Sequence, residues 1–129
     1  MSSAWQQYID NMKACDAIKA CVIVSYPAGD VWAKSADANF KADELKALAK
    51  SFDDMAQLPC KGVDLAGCHY VVPRIEENLI FGKKEKRGFF ASKTKTAVLL
   101  ACFEGENHTA SEARVAIEKL SEYLTSSGY

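Results

Sequence analysis

Cysteine and histidine are the residue types here most suited to nucleophilic or metal chemistry, and their spacing favours neither. Cys68 and His69 are neighbours in a predicted strand. Successive strand side chains point to opposite faces, so this pair cannot act as a nucleophile and its base. A metal site built from Cys68, His69 and His108 would lack the short paired spacings of closed zinc sites. We therefore expect no metal, no cofactor and no enzymatic activity.

Length and charge narrow the possible functions further. The chain has 129 residues and a formal net charge of −1, a balance that argues against a nucleic-acid-binding protein. Without a leader sequence, we expect the five cysteines to be reduced thiols. They are Cys15, Cys21, Cys60, Cys68 and Cys102.

Aromatic side chains cluster near the two ends of the chain and in the first predicted hairpin. They are Trp5, Tyr8, Trp32, Tyr123 and Tyr129. Rings at helical spacing most often seal a core. The alternative is an exposed aromatic groove for a proline-rich peptide, which arrives as a preformed polyproline II helix and stacks its prolines on ring faces. The residues alone leave both interpretations open.

Two further features point to protein or lipid partners. The segment FGKKEKRGFFASKTK carries six basic residues against one acid. It is either a solvated hairpin turn or a basic patch for an acidic protein or an anionic lipid head group. The last predicted helix has an apolar stripe that should be buried, formed by Ala113, Ala116, Ile117, Leu120 and Leu124. Val115 lies on the opposite face, beside Arg114 and Glu118, which is typical of a protein contact with an apolar centre and a polar rim.

Hydrophobic periodicity predicts the elements that position these residues. We expect a first helix over 3–13 capped by Ser2 or Ser3, and a second over 43–54. A last helix should run from Thr109 or Ser111 to about 126. A hairpin (20–26 and 31–35) and four short strands over 68–104 should form an antiparallel sheet, with Pro73 at a bulge or near an edge.

These elements together predict one α+β domain spanning residues 1–129. A central antiparallel sheet should carry the N- and C-terminal helices side by side on one face. That arrangement would bring the aromatic rings of the two chain ends together.

The sequence resembles the profilin family. AWQQYID at residues 4–10 is similar to the family's N-terminal signature, and the second tryptophan, the strand KTKTAVLLACFEG and the aromatic chain end agree with it. The resemblance covers the whole chain and implies a further short helix on the other face of the sheet. It implies a cytoplasmic, cytoskeleton-associated and mostly monomeric protein, not an enzyme. Its partners would be monomeric actin, proline-rich proteins such as formins, and phosphatidylinositol bisphosphate.

The resemblance also implies the residues of each binding site. The poly-proline site would be Trp5, Tyr8, Trp32, Tyr123, Leu124 and Tyr129. The actin site would be His69, Val72, Arg74, Lys86, Arg87, His108, Arg114, Val115 and Glu118. The phosphoinositide site would be Arg74, Lys84, Lys86 and Arg87.

Three positions depart from the family pattern. Many animal members carry histidine where Tyr123 stands, and KKEKRG replaces the glycine-rich turn of many plant and protist members. The segment around His108 is a residue or two longer than in vertebrate members. An alternative function is a small-molecule sensor domain of the same layout, with Trp5 and Trp32 buried around a cavity.

Overall fold

The computed structural model describes residues 4–105 and 107–129, with the side chains of all of these except residues 4, 107 and 108. Within this part of the chain, seven strands form one antiparallel sheet in the order β2-β1-β7-β6-β5-β4-β3. The strands are β1 (Ile18–Ser25), β2 (Val31–Lys34), β3 (Val63–Leu65), β4 (Cys68–Glu76), β5 (Leu79–Lys84), β6 (Arg87–Lys93) and β7 (Ala97–Glu104). The helices are α1 (Ala4–Lys13), α2 (Ala42–Ser51), α3 (Leu58–Lys61) and α4 (Asn107–Ser126), with a 3-10 turn at Met55–Gln57.

Helices α1 and α4 pack side by side on one face of the sheet. Ile9 and Met12 of α1 are buried there, as are Ile117 and Leu124 of α4. Each set recurs at helical spacing, so one stripe of each helix faces the strands. Burying a side chain of this size stabilises the fold by about 1.5–3 kcal/mol.

Helices α2 and α3 cover the opposite face. Leu45 and Leu48 of α2 and Leu58 of α3 are buried against it. The central strand β7 therefore has both faces covered: Leu99 packs under α1 and α4, while Leu100 packs under α2 and α3. This explains why β7 is a continuous apolar run rather than an alternating one.

The turn between β1 and β2 is anchored against α2, and it fixes the position of β2. Gly29 in this turn has φ +79°, and a Cβ there would lie 2.6 Å from the Cα of Lys46. Only glycine fits both the left-handed backbone and this close approach. The turn thereby holds Trp32 on β2 in place.

The structure confirms the predicted α+β layout and most of the predicted elements. The bulge expected at Pro73 lies between Val71 and Arg74, where the pairing of β4 with β5 shifts. The predicted caps Ser2 and Ser3 lie outside the described residues. Thr109 and Ser111 are inside α4, because that helix begins at residue 107, so the prediction that either one caps it was wrong.

Two parts of the fold were not predicted. Helix α2 ends at Ser51, three residues earlier than expected. The segment LPCKGVDLAG contains α3 and the three-residue strand β3, which pairs with the start of β4. Both elements are too short for periodicity to detect. No helix in the described ranges is long and apolar enough to cross a membrane.

Candidate functional site

Five aromatic rings from three elements form a contiguous cluster, which we call the aromatic shelf. Helix α1 supplies two rings and β2 supplies one. The fourth is on α4, and the fifth belongs to the residue three positions after the end of α4. The members are Trp5, Tyr8, Trp32, Tyr123 and Tyr129. The rings of the two helices can meet only if α1 and α4 are neighbours. The structure shows that α1 and α4 pack side by side.

Trp5 is the centre of the shelf. Its ring centroid lies 5.5 Å from that of Tyr8, 4.7 Å from Trp32 and 5.1 Å from Tyr129. Tyr8 extends the cluster to Tyr123 at 5.8 Å. Three of these four contacts are edge-on, at 67° to 81° between planes, the geometry that the ring quadrupole favours.

The shelf is accessible to solvent. Tyr123, Tyr129 and Trp32 are 55%, 43% and 37% exposed, while Trp5 and Tyr8 are half-buried. Desolvation raises the pKa of the Tyr8 hydroxyl, and its hydrogen bond with Tyr123 raises it further. The Tyr8 hydroxyl therefore stays protonated at neutral pH. With this exposure, the tryptophans do not enclose the buried cavity that a small-molecule sensor would need.

Buried contacts hold the shelf from below and from one end. Leu124 is fully buried beneath it. The main-chain oxygen of Tyr129 accepts two hydrogen bonds from Thr96, from its N–H at 2.7 Å and from its Oγ1 at 3.0 Å. The last ring of the shelf is thereby tied to the turn between β6 and β7.

An apolar groove of about 870 Å³ runs between α1 and α4 and begins at the shelf. Tyr8 and Tyr123 stand at the shelf end, and Val115, which is 51% exposed, lines it further along α4. We call this feature the interhelix groove. Its lining includes Met12, Cys15, Ala116 and Leu120.

A charged network joins α4 to the end of β4. The guanidinium of Arg114 donates to Glu76 Oε1 at 2.7 Å and to Glu118 Oε1 at 2.9 Å. Arg74 approaches the other oxygen of Glu76 at 4.0 Å. The hydrogen bond from Arg114 lowers the pKa of Glu76, and the two carboxylates raise the pKa of Arg114 above its usual range.

The β5–β6 hairpin carries the basic patch. Lys84 and Arg87 are paired across its end, with Lys86 in the turn between them. Arg74 lies opposite Phe81 on β5, which is three residues or about 10 Å from Lys84 along the strand. Arg87 also points to Cys68, its Nη1 lying 3.8 Å from Sγ, which places it beside the His69 end of β4.

One expected actin contact is wrong. Val72 is 2% exposed and belongs to the core under α2 and α3, so no partner can touch it in the folded protein. Val71 is 58% exposed and lies on the same face as His69. Strict alternation from His69 is the signal that could have found it. The side chain of His108 lies outside what the structure describes.

The structure brings together some of the remaining expected actin contacts. Glu76 joins Arg74 to Arg114, and Arg114 in turn binds Glu118. Sequence reasoning missed Glu76 because nothing local links β4 to α4. Val115 is on the same helix but faces the interhelix groove. The other groove residues were missed as well, since the sequence placed Ala116 and Leu120 in a buried stripe, whereas both are only half-buried.

His69 pairs with Asp64 rather than with a thiol. Its Nδ1 lies 2.7 Å from Asp64 Oδ1. Among the described residues, no group of three or more histidine, cysteine or acidic side chains could hold a metal ion. The cysteines they include are all free thiols.

The chain is similar to known proteins over almost its whole length. The profilin family model matches residues 3–129. Profilin-1 of Caenorhabditis elegans is 53% identical over 131 residues, covering 98% of this chain and 99% of that protein. Schizosaccharomyces pombe profilin, a solved structure, superimposes with a TM-score of 0.88 at 32% identity, over 97% of this chain and 99% of that one.

A more distant solved structure shares the fold. Mouse profilin IIa, in complex with a double repeat from the FH1 domain of mDia1, has a TM-score of 0.77 at 18% identity. The match covers 98% of this chain and 100% of that one.

Proposed function

This chain belongs to the profilin family, and from that premise we propose that it binds monomeric actin, regulates actin polymerisation and holds proline-rich segments of actin-assembly factors such as formins. The observation that carries the proposal is the aromatic shelf, five contacting rings drawn from β2 and from both ends of the chain and left open to solvent. The protein acts as a binding protein and not as an enzyme, mostly as a monomer, in the cytoplasm and associated with the cytoskeleton. Residues 1–129 act as a single domain.

The shelf suits prolines for a physical reason. A polyproline II helix presents flat apolar rings with three residues per turn, and its carbonyl oxygens have no N–H partners within the helix. Aromatic faces stack on the prolines, while indole N–H and phenol O–H groups donate to those carbonyls. The formin repeat bound by mouse profilin IIa supports a ligand of this class.

Tryptophan fluorescence tests the shelf directly. The chain has two tryptophans, Trp5 and Trp32, and both belong to the shelf, so every indole signal comes from the proposed site. We expect poly-L-proline to cause a saturable spectral change. A silent titration would contradict the proposal.

The actin face in this proposal lies on β4, the β5–β6 hairpin and the start of α4. It consists of His69, Arg74, Lys86, Arg87, Arg114, Val115 and Glu118, to which we add Val71, which is exposed, and Glu76, which binds Arg114. His108 is part of the same proposal. Charged residues of both signs beside an exposed valine are typical of the rim of a protein interface.

Reversing one charge tests this face. Arg87→Glu should weaken the affinity for monomeric actin about tenfold, or 1.4 kcal/mol, by placing a like charge against the partner. Lys95→Glu is the matched control, because it makes the same charge change at the exposed turn after β6. Equal actin affinity of the two variants in a sedimentation assay would count against the proposed face.

The phosphoinositide site consists of Arg74, Lys84, Lys86 and Arg87, and it overlaps the actin face. The last three lie at the end of the β5–β6 hairpin, and Arg74 lies on β4 opposite Phe81. Each basic side chain near an anionic surface contributes about 1 kcal/mol. Lys84→Glu should therefore weaken binding to vesicles that contain phosphatidylinositol bisphosphate by fivefold or more, and leave actin binding unchanged. The same loss of vesicle binding for Lys95→Glu would mean that binding depends on the net charge of the protein and not on this site.

A further inference from the structure

We propose that a polar clamp at the end of α1 sets the spacing of the two indole rings in the aromatic shelf. The clamp consists of Lys13, Ser35 and Asp37. None of the three belongs to the shelf, so they are positioning residues for its ligand. This inference rests on the proposed function, because the ligand in question is the one that the shelf holds.

The spacing of the two indoles depends on how α1 is aligned with β2. Trp5 is near the start of α1 and Trp32 is on β2, and their ring centroids are 4.7 Å apart at 45° between planes. Strand β2 has four residues and lies at the end of the sheet, where β1 is its only neighbouring strand among the described residues. A rotation or slide of α1 against this short edge strand would therefore separate the rings.

Lys13 attaches the end of α1 to two neighbouring segments. It is the last residue of the helix. Its ammonium donates to Asp37 Oδ2 at 2.6 Å and to the main-chain oxygen of Lys19 at 2.6 Å. Asp37 lies in the loop after β2, and Lys19 lies on β1. One charged group, whose hydrogen bonds are stronger than neutral ones, thus ties α1 to both segments.

A buried hydroxyl fixes the acceptor of this link. Ser35, the residue after β2, is 4% exposed. Its Oγ donates to Asp37 Oδ1 at 2.6 Å and accepts the backbone N–H of Cys21 at 3.0 Å. The hydrogen bonds from Lys13 and then from Ser35 lower the pKa of Asp37, so its carboxylate is ionised at neutral pH. An exposed ion pair gains little when two mobile side chains must be ordered, but here the sheet already holds the carboxylate.

A second attachment lies beside Trp5. Gln6 Nε2 donates to the main-chain oxygen of Lys34, the last residue of β2, at 3.4 Å. Gln6 and Lys13 are seven residues apart, which is about 10 Å along a helix. One attachment would leave α1 free to pivot, whereas two fix its angle to β2. The clamp is the stronger of the two, because its hydrogen bonds are shorter and charged.

Circular dichroism reports the indole spacing directly. Trp5 and Trp32 are the only tryptophans of the chain, so the coupling of their transitions gives a couplet that no other indole obscures. Lys13→Met keeps good helix propensity and removes the ammonium. We expect the couplet of the free protein to shrink, because it depends on the distance and the angle between the rings. Trp32→Phe supplies the spectrum without coupling.

Ligand affinity should fall together with the couplet. Lys13→Met should weaken the binding of poly-L-proline about fivefold, because losing one ordered ion pair makes the binding-competent arrangement a smaller fraction of the population. Asp37→Asn removes the charge but keeps an acceptor for Ser35, and should weaken binding by a similar factor. The double variant should bind no worse than either single variant, since all three lack the same link.

Two further variants separate positioning from a general loss of charge. Lys50→Met is the matched control, because Lys50 is the exposed lysine in the last turn of α2, on the opposite face of the sheet. It should leave the couplet and the affinity unchanged. Lys13→Arg keeps a charged donor in the clamp and should restore both. Equal losses of affinity for Lys13→Met and Lys50→Met, or additive losses in the double variant, would overturn the proposal.

The outcomes separate this inference from the proposed function. An unchanged couplet in Lys13→Met, whether or not its affinity falls, would refute the clamp and leave the shelf proposal standing, as long as the unmodified protein binds poly-L-proline. Failure of the unmodified protein to bind would refute both. If Lys13→Met does not unfold cooperatively on heating, Asp37→Asn carries the same two measurements.

Discussion

Trp5 contacts the rings of Tyr8, Trp32 and Tyr129, and thereby links α1 to β2 and to the end of the chain. A residue in this position serves two purposes. It fixes its neighbours by packing, and its own accessible surface belongs to the proposed binding site. Large rings that combine both properties are the usual hot spots of interfaces.

The thiols differ in burial, and we expect their rates of alkylation to differ accordingly. Burial raises the pKa of Cys21 to about 11 and that of Cys102 to about 12, so almost none of either is thiolate at pH 8. Cys60 is exposed. We expect iodoacetamide to modify Cys60 first and to leave Cys21 and Cys102 intact in the folded protein.

Mass spectrometry of partly alkylated protein checks this order, and alkylation in denaturant supplies the control in which all the thiols react. Modification of Cys21, which is buried in the sheet, as fast as that of Cys60 would show that the sheet opens more readily than its packing implies.

At the scale of elements, one carboxylate joins α2 to the β3–β4 hairpin. Glu44 accepts hydrogen bonds from the backbone N–H groups of Lys41, Ala66 and Gly67, at 2.9, 2.8 and 3.0 Å. Ala66 and Gly67 both have positive φ, as a two-residue hairpin turn requires. Partial burial opposes ionisation of Glu44, but the three donors outweigh it and its pKa is lowered.

Glu44→Gln should therefore lower the free energy of unfolding by about 1–2 kcal/mol at neutral pH. Because the pKa is lowered in the folded state, the contribution is complete above the ordinary value of 4.5 and is lost as pH falls through the lowered one. Urea unfolding at pH 7 and pH 3 measures the difference between variant and wild type. Asp43→Asn, an exposed change in the same helical turn, is the control. A Glu44 effect that is equal at both pH values would contradict this role.

The elements that could be predicted from the sequence are those whose hydrophobic pattern repeats several times. The stripes of α1, α2 and α4 and the strands of the meander were all recognisable, because each repeats its pattern over several residues. The structure of segment 55–65 could not be predicted in this way. It consists of a 3-10 turn, a four-residue helix and a three-residue strand, and each is too short for its hydrophobic pattern to repeat. Tertiary packing against Leu65 and Tyr70 determines them.

The candidate site was predictable to a similar degree. The shelf follows from helical spacing once α1 and α4 are neighbours, and the resemblance to profilins identified its members. Val72 was misplaced, because matching a motif does not specify which face a strand residue occupies. The Arg114–Glu76 contact joins residues 38 positions apart, which no local pattern can reveal.

At the scale of the whole molecule, the two proposed binding surfaces differ in all their elements but one. The shelf is built on α1, β2 and the end of α4, whereas the actin face is built on β4, the β5–β6 hairpin and the start of α4. Helix α4 is the element that they share, with Tyr123 eight residues or about 12 Å from Val115. Separate surfaces would let the protein hold actin and a proline-rich factor together, and so deliver a monomer to a growing filament end.

The most direct test measures both ligands on two variants. Trp5→Ala should weaken poly-L-proline binding by at least thirtyfold, about 2 kcal/mol, because it removes the central ring of the shelf. The same variant should bind monomeric actin normally, while Arg87→Glu should show the opposite pattern. Undiminished proline binding by Trp5→Ala, or loss of both ligands by a variant whose thermal unfolding is unchanged, would contradict the claim of two separate surfaces.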